Sequence, residues 1–532
     1  MPNTKKLLSI TNLKKYFPIA KNSIFQKQQY YVKANEEITI DIYEGETLGI
    51  VGESGCGKST LGRVLLQLYE QTAGTTMYYG VPRAELAPDY VLHTLKYAEK
   101  YIAKMHAAEA RAKAAAEKAD SLGENATFFD LQDKNLAEAE YQTAVAHTAK
   151  ILGGFTVKDT KAGAALLYQQ AQLEDDAAAL AEHIKDIDLQ LDDSVEDDEH
   201  KKLTEAKKQK LIAKRDSFIA QREAKLAEIA DLGKKIDERK AAFKDDEEFM
   251  YYESMLDDGI DLARLKYSEM RHLRKDLQIV FQDPYSSLNP RMTVGQIIEE
   301  GLVTHKFYRH GSNKMREYIL EVMRKCGLQD YMLYRYPHQF SGGQRQRISI
   351  ARALAVHPKF VVCDECVSAL DVSIQSQIIN LLQDLKDKEN LTYMFISHDL
   401  SVVRYISDRI CVMYLGNVVE LADASKIFED PRHPYTVALL SSIPTTDPES
   451  LSKERILLEG NIPSPIKPPS GCKFHTRCYM ACEQCKRVPP ELAEIEPGHF
   501  VACHFPQRKL DENGNYLFEM PSTERKSSRE AQ

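Results

Sequence analysis

The residues best suited to chemistry lie at Gly52-Glu53-Ser54-Gly55-Cys56-Gly57-Lys58-Ser59-Thr60. Glycines at this spacing let successive backbone N–H groups turn toward one point. A helix opening at that point adds a partial charge that favours an anion. In a G-x-x-x-x-G-K-S pattern the lysine, here Lys58, reaches the β- and γ-phosphates, and the serine hydroxyl, here Ser59, binds Mg2+. Other polar groups stand at the ends of apolar runs. Gln282 follows Leu277-Gln278-Ile279-Val280-Phe281, Asp364 and Glu365 follow Phe360-Val361-Val362-Cys363, and His398 follows Tyr393-Met394-Phe395-Ile396-Ser397. A sulfur group lies near the end of the chain. Cys472, Cys478, Cys485 and Cys503 are spaced C-x5-C-x6-C-x17-C, with Cys482 as an additional thiol. Four thiolates suffice for an Fe–S cluster or a structural Zn2+, but this spacing matches neither ferredoxin nor zinc-finger templates.

These groups need elements to hold them. Thr47-Leu48-Gly49-Ile50-Val51 reads as a short buried strand before the glycine-rich turn, and Leu61 to Leu66 reads as the opening of a helix. Residues 7–17 read as an edge strand, Ile38 to Ile42 as a second strand, and Gly74 to Gly80 as a third. Tyr16 is a candidate for stacking on a base, a role for which Tyr30 and Tyr31 compete. Beyond residue 270 strands alternate with helices and polar groups sit at strand ends, the pattern of a doubly wound α/β sheet with its ligand outside the carboxyl ends of the strands.

Between about Pro82 and Tyr267 the composition shifts to Ala, Lys, Glu, Asp and Leu, which favours helix. Leu173, Ala177, Leu180, Ile184, Ile187 and Leu191 form a heptad seam, and Ile212, Ile219, Leu226, Ile229, Ile236 and Phe243 a less regular one. The acidic stretch 192–199 between them reads as the turn of an antiparallel helical hairpin. A further helix pair precedes it, broken near Gly123 and at Gly153-Gly154. The 532 residues suggest about three or four domains. With a formal net charge of −9 the chain is not a general nucleic-acid binder, and no apolar run reaches the roughly 20 residues that span a bilayer. Ten cysteines in a cytoplasmic chain point away from disulfides.

Taken together, Gly52 to Thr60 as a Walker A motif, Gln282 as a Q-loop glutamine, Ser341-Gly342-Gly343-Gln344 as a signature, Cys363-Asp364-Glu365 closing a Walker B strand, Ser368-Ala369-Leu370-Asp371 as a D-loop and His398 as a switch histidine resemble an ABC-type ATPase. Lys14 to Pro18, Gln282 to Arg291, Ser368 to Gln375 and His433 to Leu440 extend the resemblance to the oligopeptide/dipeptide importer branch, over about 5–80 and 270–508. The resemblance implies a P-loop ABC ATPase fold: a RecA-like α/β core with an antiparallel β subdomain and a helical subdomain. An all-α helical-hairpin insertion interrupts it, and a Cys-rich segment follows. The expected boundaries are 1–81 and 268–430 for the ATPase domain, 82–267 for the insertion, 431–510 for the C-terminal region and 511–532 for a polar tail.

The resemblance also implies roles. Asp364 and Ser59 hold Mg2+, Gln282 touches the metal and the attacking water, Glu365 is the general base, and His398 bonds the γ-phosphate. Ser341 and the Gly342-Gly343 amides form an anion site for ATP held by a second subunit, with Gln344 beside them. The implied partners are a second related ATPase, two permeases and an extracytoplasmic solute-binding protein, with the chain peripheral on the cytoplasmic face of the membrane and no nucleic acid bound. Some ATPases of this branch hold a [4Fe–4S] cluster on cysteines matching Cys472, Cys478, Cys485 and Cys503, with Zn2+ the alternative here. Cys366 stands where the family has Pro, which implies a looser turn and a possible oxidation site. The competing reading is a DNA-repair or chromosome-structure ATPase. There, however, the helical arm enters between Q-loop and signature, whereas here it precedes Gln282, and an acidic turn is a poor DNA contact. An importer ATPase for another solute, such as nickel, is a second alternative.

Overall fold

The computed structural model describes residues 5–21, 29–123, 126–191, 204–442, 456, 458, 460–506, 509–510 and 516–517. The acidic stretch 192–199 and, apart from 516–517, the tail 511–532 lie outside the described residues.

Two sheets carry the molecule. The first is antiparallel and contains β1 (Lys6–Pro18), β2 (Tyr31–Tyr43), β4 (Ala73–Tyr78) and β5 (Ile260–Asp261), in the order β2-β1-β4-β5. β1 is therefore an interior strand rather than the expected edge. It pairs with β2 through Ile10↔Ile40 and with β4 through Leu8↔Tyr78. The second sheet contains β3 (Thr47–Val51), β6 (Leu277–Val280), β7 (Phe360–Asp364), β8 (Thr392–Ile396), β9 (Arg409–Tyr414), β10 (Asn417–Asp423), β11 (Ala493–Glu496) and β12 (His499–Val501). Its order is β11-β12-β10-β9-β3-β8-β7-β6. The run β9-β3-β8-β7-β6 is parallel. Every residue of β3, β7 and β8 is buried, as expected for parallel strands covered on both faces, and this is why they read as continuous apolar runs. Leu48 and Ile50 of β3 face one core while Val51 faces the other. β3 lies between β8 and β9, so the turn after Val51 opens at the carboxyl edge of the sheet, beside the ends of β7 and β8.

The chain leaves the first sheet after Tyr78 and rejoins it where Ile260 pairs with Tyr78, so the return falls earlier than the expected boundary at 267. Between these points run the long helices Ala98–Leu122, Phe128–Leu152, Thr160–Leu191 and Glu205–Ala241. The breaks fall at Gly123 and Gly153, both with positive φ, and Thr127 opens the second long helix with a capping box to Asp130. The last two long helices pack on each other, but not through the whole expected seam. Ile212, Ile219 and Leu226 are 40%, 37% and 43% exposed. Their neighbours Leu211 and Phe218 are half-buried instead, and Phe218 stacks on His183 with 5.5 Å between ring centroids. One residue is about 100° of helix rotation, so the ring of Phe218 takes the interior and the adjacent isoleucine turns outward. Ile229 is half-buried and Ile236 is buried, as the seam requires.

The insertion is tied to both parts of the body. Gly74 N–H, in β4, donates to Thr143 Oγ1 at 3.1 Å, and Lys185 Nζ donates to His305 O at 3.3 Å. Lys306 pairs with Asp186. Among the described residues no helix is long and apolar enough to cross a membrane.

Candidate active site

The turn after β3 forms a cradle because three of its glycines occupy positive φ: Gly52 at 149°, Gly55 at 80° and Gly57 at 101°. A Cβ on Gly57 would sit 2.1 Å from Ala34 O and one on Gly52 would sit 2.2 Å from Met413 O, so side chains are excluded at both positions. Asn35 Nδ2 donates to Gly57 O at 3.2 Å and holds the end of the turn. The helix Lys58–Leu65 opens directly from Gly57, which aims its first N–H groups into the cradle. Ser54 and Gly55 are exposed, Cys56 is buried beneath the loop, and Ser59 and Thr60 are half-buried on the helix. Lys58 is 5% exposed, and its Nζ donates to Gly52 O at 2.7 Å and Glu53 O at 3.1 Å. Its ammonium is thus parked across the mouth of the loop, where a phosphate would replace two carbonyls as its partner.

The carboxyl ends of β7 and β8 complete the site. Ser59 Oγ donates to Asp364 Oδ1 at 2.6 Å, and Arg63, a residue with no motif signal, lies 3.4 Å from Asp364 Oδ2. Glu365 has φ 49°, an uncommon conformation for a residue with a side chain, and its N–H donates to Ile396 O at 3.0 Å. That turn brings its carboxylate to Gln282, whose Nε2 donates to Glu365 Oε2 at 2.9 Å and lies 3.5 Å from Ser368 Oγ. His398 Nδ1 lies 3.6 Å from the same carboxylate oxygen. Gln282, Glu365 and His398, widely separated in the chain, meet at one oxygen. The turn after Glu365 carries Cys366 inward. Its thiol is 2% exposed and bonds the buried Cys363 side chain, so it offers solvent no ready oxidation site.

Ser341 caps the helix Gly342–Leu354. Its Oγ accepts from Gln344 N–H at 3.4 Å, and Gln344 Oε1 accepts from Ser341 N–H at 3.2 Å. Gln344 thus supports the cap. Ser341 and Gly342 are exposed at the surface, where a second molecule can reach the first amides of the helix. Arg345 donates to Pro337 O at 2.8 Å and lies over the Tyr285 ring at 4.8 Å, and Arg352 donates to Ser287 O at 2.7 Å. The signature helix is therefore fastened to the segment that follows Gln282.

Tyr16 is not available to a base. It is 4% exposed, its hydroxyl bonds the Glu36 carboxylate, and Lys33 lies over its ring at 5.3 Å. Burial drives the Glu36 pKa up, but Lys473, Lys33, Lys14 and the Tyr16 hydroxyl outweigh it and bring the carboxyl down to about 2. The tyrosine is thus one ligand of a buried charge cluster, a use that aromatic character alone does not reveal. Tyr30 and Tyr31 are half-buried. Tyr30 lies edge-on to Phe129 of the insertion, with ring centroids 5.3 Å apart.

Cys472, Cys478, Cys485 and Cys503 line one enclosed, largely apolar cavity of about 10 Å³, together with Phe474 and Met480. Burial pushes the Cys478 and Cys485 thiols up to about 12 and raises that of Cys472. Cys482 Sγ is 3.7 Å from Cys485 Sγ. The lining also holds His433, His475 and His504 and no carboxylate, so the donors on offer are sulfur and imidazole, a set suited to iron–sulfur or zinc. As the side chains stand, no three His, Cys, Asp or Glu groups among the described residues are close enough together to hold a metal ion.

The chain is similar to proteins of known kind. The protein "Oligopeptide transport ATP-binding protein AppF" of Bacillus subtilis is 53% identical over 248 residues, 46% of this chain and 75% of that one. The protein "Oligopeptide transport ATP-binding protein OppF" of Haemophilus influenzae is 49% identical over 246 residues, 46% of this chain and 74% of that one. The dimeric structure of MJ0796, a bacterial ABC transporter cassette, aligns at 17% identity with a TM-score of 0.39, covering 79% of this chain and 99% of that chain. Residues 419–485 match the oligopeptide/dipeptide transporter C-terminal region. Residues 35–215 and 251–368 match the ABC transporter model, and the chain belongs to that family of ATP-binding subunits.

Proposed function

We propose that the chain hydrolyses ATP to power the import of oligopeptides or dipeptides, as one of two ATPase subunits docked on the cytoplasmic face of the membrane beneath two permeases fed by a solute-binding protein. The observation that carries the chemistry is the meeting of Gln282, Glu365 and His398 beside Ser59 and Asp364. The solute class rests on the peptide-transport relatives and on the C-terminal match. Entry of the helical insertion before Gln282 speaks against the DNA-repair alternative, and nothing in the site favours nickel over peptides.

In this reading the amides of Gly52 to Thr60 and the Lys58 ammonium take the triphosphate. Mg2+ takes oxygen ligands and keeps some of its waters, and the Ser59 hydroxyl with the Asp364 carboxylate, 2.6 Å apart, fits that demand. When bound, the metal neutralises charge on the β- and γ-phosphate oxygens. Glu365 accepts a proton from the attacking water, while Gln282 and His398 orient that water and the γ-phosphate from either side. Ser341 and the Gly342-Gly343 amides serve ATP on a second subunit. Glu365→Gln keeps the shape of the site and removes the base, so turnover should fall by about 10²- to 10⁴-fold with nucleotide binding retained. Steady-state phosphate release beside a nucleotide titration checks it, and normal turnover in the variant would remove Glu365 from the role.

We infer that Cys472, Cys478, Cys485 and Cys503, which line one cavity together with His433, His475 and His504, would hold a [4Fe–4S] cluster. Closing the sphere requires the thiols to turn inward and lose their protons. Anaerobic purification with iron, sulfide and zinc assays tests this. Iron and sulfide in equal amounts support the cluster, zinc alone supports a structural ion, and metal-free protein ends both.

A further inference from the structure

The loop between Cys472 and Cys478 sends three of its side chains out of the cysteine segment and toward the phosphate cradle. Lys473 Nζ donates to Glu36 Oε2 at 3.2 Å and to Leu415 O at 3.4 Å. Glu36 follows Asn35, whose amide holds Gly57. Phe474 is 1% exposed, with ring centroids 5.4 Å from Tyr435 and 5.1 Å from Tyr414. The Tyr435 hydroxyl accepts from Glu53 N–H at 2.8 Å. Arg477 donates to both carboxylate oxygens of Glu53, at 2.7 and 3.0 Å.

Glu53 is the second residue of the cradle. Its amide is held by Tyr435, its carboxylate by Arg477 and its carbonyl by Lys58 at 3.1 Å. A bidentate guanidinium–carboxylate pair fixes direction as well as distance. With Arg477 at 6% and Glu53 at 24% side-chain exposure, salt screens this one little. The direction of the Glu53 peptide sets where Lys58 rests and which way the neighbouring N–H groups point.

We propose that the Cys472–Cys478 loop sets the affinity of the cradle for nucleotide. The folded cysteine segment keeps the cradle formed through Arg477 and Phe474, and loosening that segment weakens ATP binding. Linkage makes the effect reciprocal, so bound nucleotide steadies the cysteine segment. Arg477 is a positioning residue that acts through Glu53. The inference rests on reading Gly52 to Thr60 as the ATP site.

The test uses the full-length protein and fluorescent methylanthraniloyl-ATP. Arg477→Ala should raise its Kd, and the KM for ATP, at least about fivefold, the low end of coupling between sites, while kcat at saturating ATP stays within about twofold. Arg477→Lys keeps the charge without the fork and should fall between. Arg477→Ala combined with Glu53→Gln should lose no more than the worse single variant, because both break one pair. MgATP should slow limited proteolysis within residues 472–478 in the native protein and not in Arg477→Ala. Unchanged affinity in Arg477→Ala, or losses that add in the double variant, would overturn the proposal. Failure of the native protein to bind the fluorescent nucleotide would instead remove the ATP-site reading beneath it.

Discussion

Glu36 is a buried carboxylate facing three lysines, Lys14, Lys33 and Lys473, at 3.7, 3.4 and 3.2 Å. Its carboxyl drops from 4.5 to about 2 on folding, which at about 1.4 kcal/mol per unit contributes about 3 kcal/mol of stability. A depressed acid stabilises above its unfolded pKa and loses that contribution as the pH falls toward its folded pKa. Glu36→Gln should therefore be about 3 kcal/mol less stable than the native protein at pH 7. The gap should close between about pH 4.5 and 2, which urea unfolding at several pH values will read. At this scale phosphate chemistry made only the cradle legible: Lys58 and Ser59 follow in type and spacing from the glycine-rich pattern. Asp364, Glu365, Gln282 and His398 were legible through the resemblance to ABC-type ATPases. Glu53 and Arg477 lie 424 residues apart with no shared pattern, and nothing in Tyr16 distinguishes a base platform from a hydroxyl that serves Glu36.

Among the elements, the long helices were legible from composition and their breaks from glycine, but not the face that the last of them turns inward. Leu211 and Ile212 are adjacent, as are Phe218 and Ile219, so apolar periodicity permits two seams one residue apart. Contact with His183 and the Thr160–Leu191 helix selects between them. Polar substitutions at Ile212, Ile219 and Leu226 should each shift stability by no more than about 0.5 kcal/mol. Phe155 is fully buried against Phe249, with ring centroids 5.8 Å apart, and Phe155→Ala should cost about 3–5 kcal/mol. Thermal unfolding of the two sets reads the difference. The edge position expected for β1 failed for a related reason. Its partner β4 comes later in the chain, and pairing between distant segments leaves no local mark.

For the whole molecule, the decisive fact is that the insertion departs and returns at neighbouring points of one sheet, Tyr78 and Ile260. Antiparallel neighbours can be joined by a two-residue turn. Replacing residues 79–259 with Asn-Gly should leave a folded protein whose ATP hydrolysis is within about threefold of the native rate, since the site residues all lie outside that stretch. A colorimetric phosphate assay checks it, and a large loss would show that the insertion supports catalysis.

The same insertion has a mechanical consequence. Its Thr160–Leu191 helix, 32 residues or about 48 Å long, is rooted near Phe155 and rests its far end on Lys306, just beyond the helix Val294–Thr304. Lys306 and Asp186 are each at least 40% exposed, so their attraction amounts to about 1 kcal/mol or less. With the Lys185 Nζ–His305 O hydrogen bond at 3.3 Å it makes a light latch, so that any swing of the lobe carrying 294–304 would have to unseat the tip of a long lever.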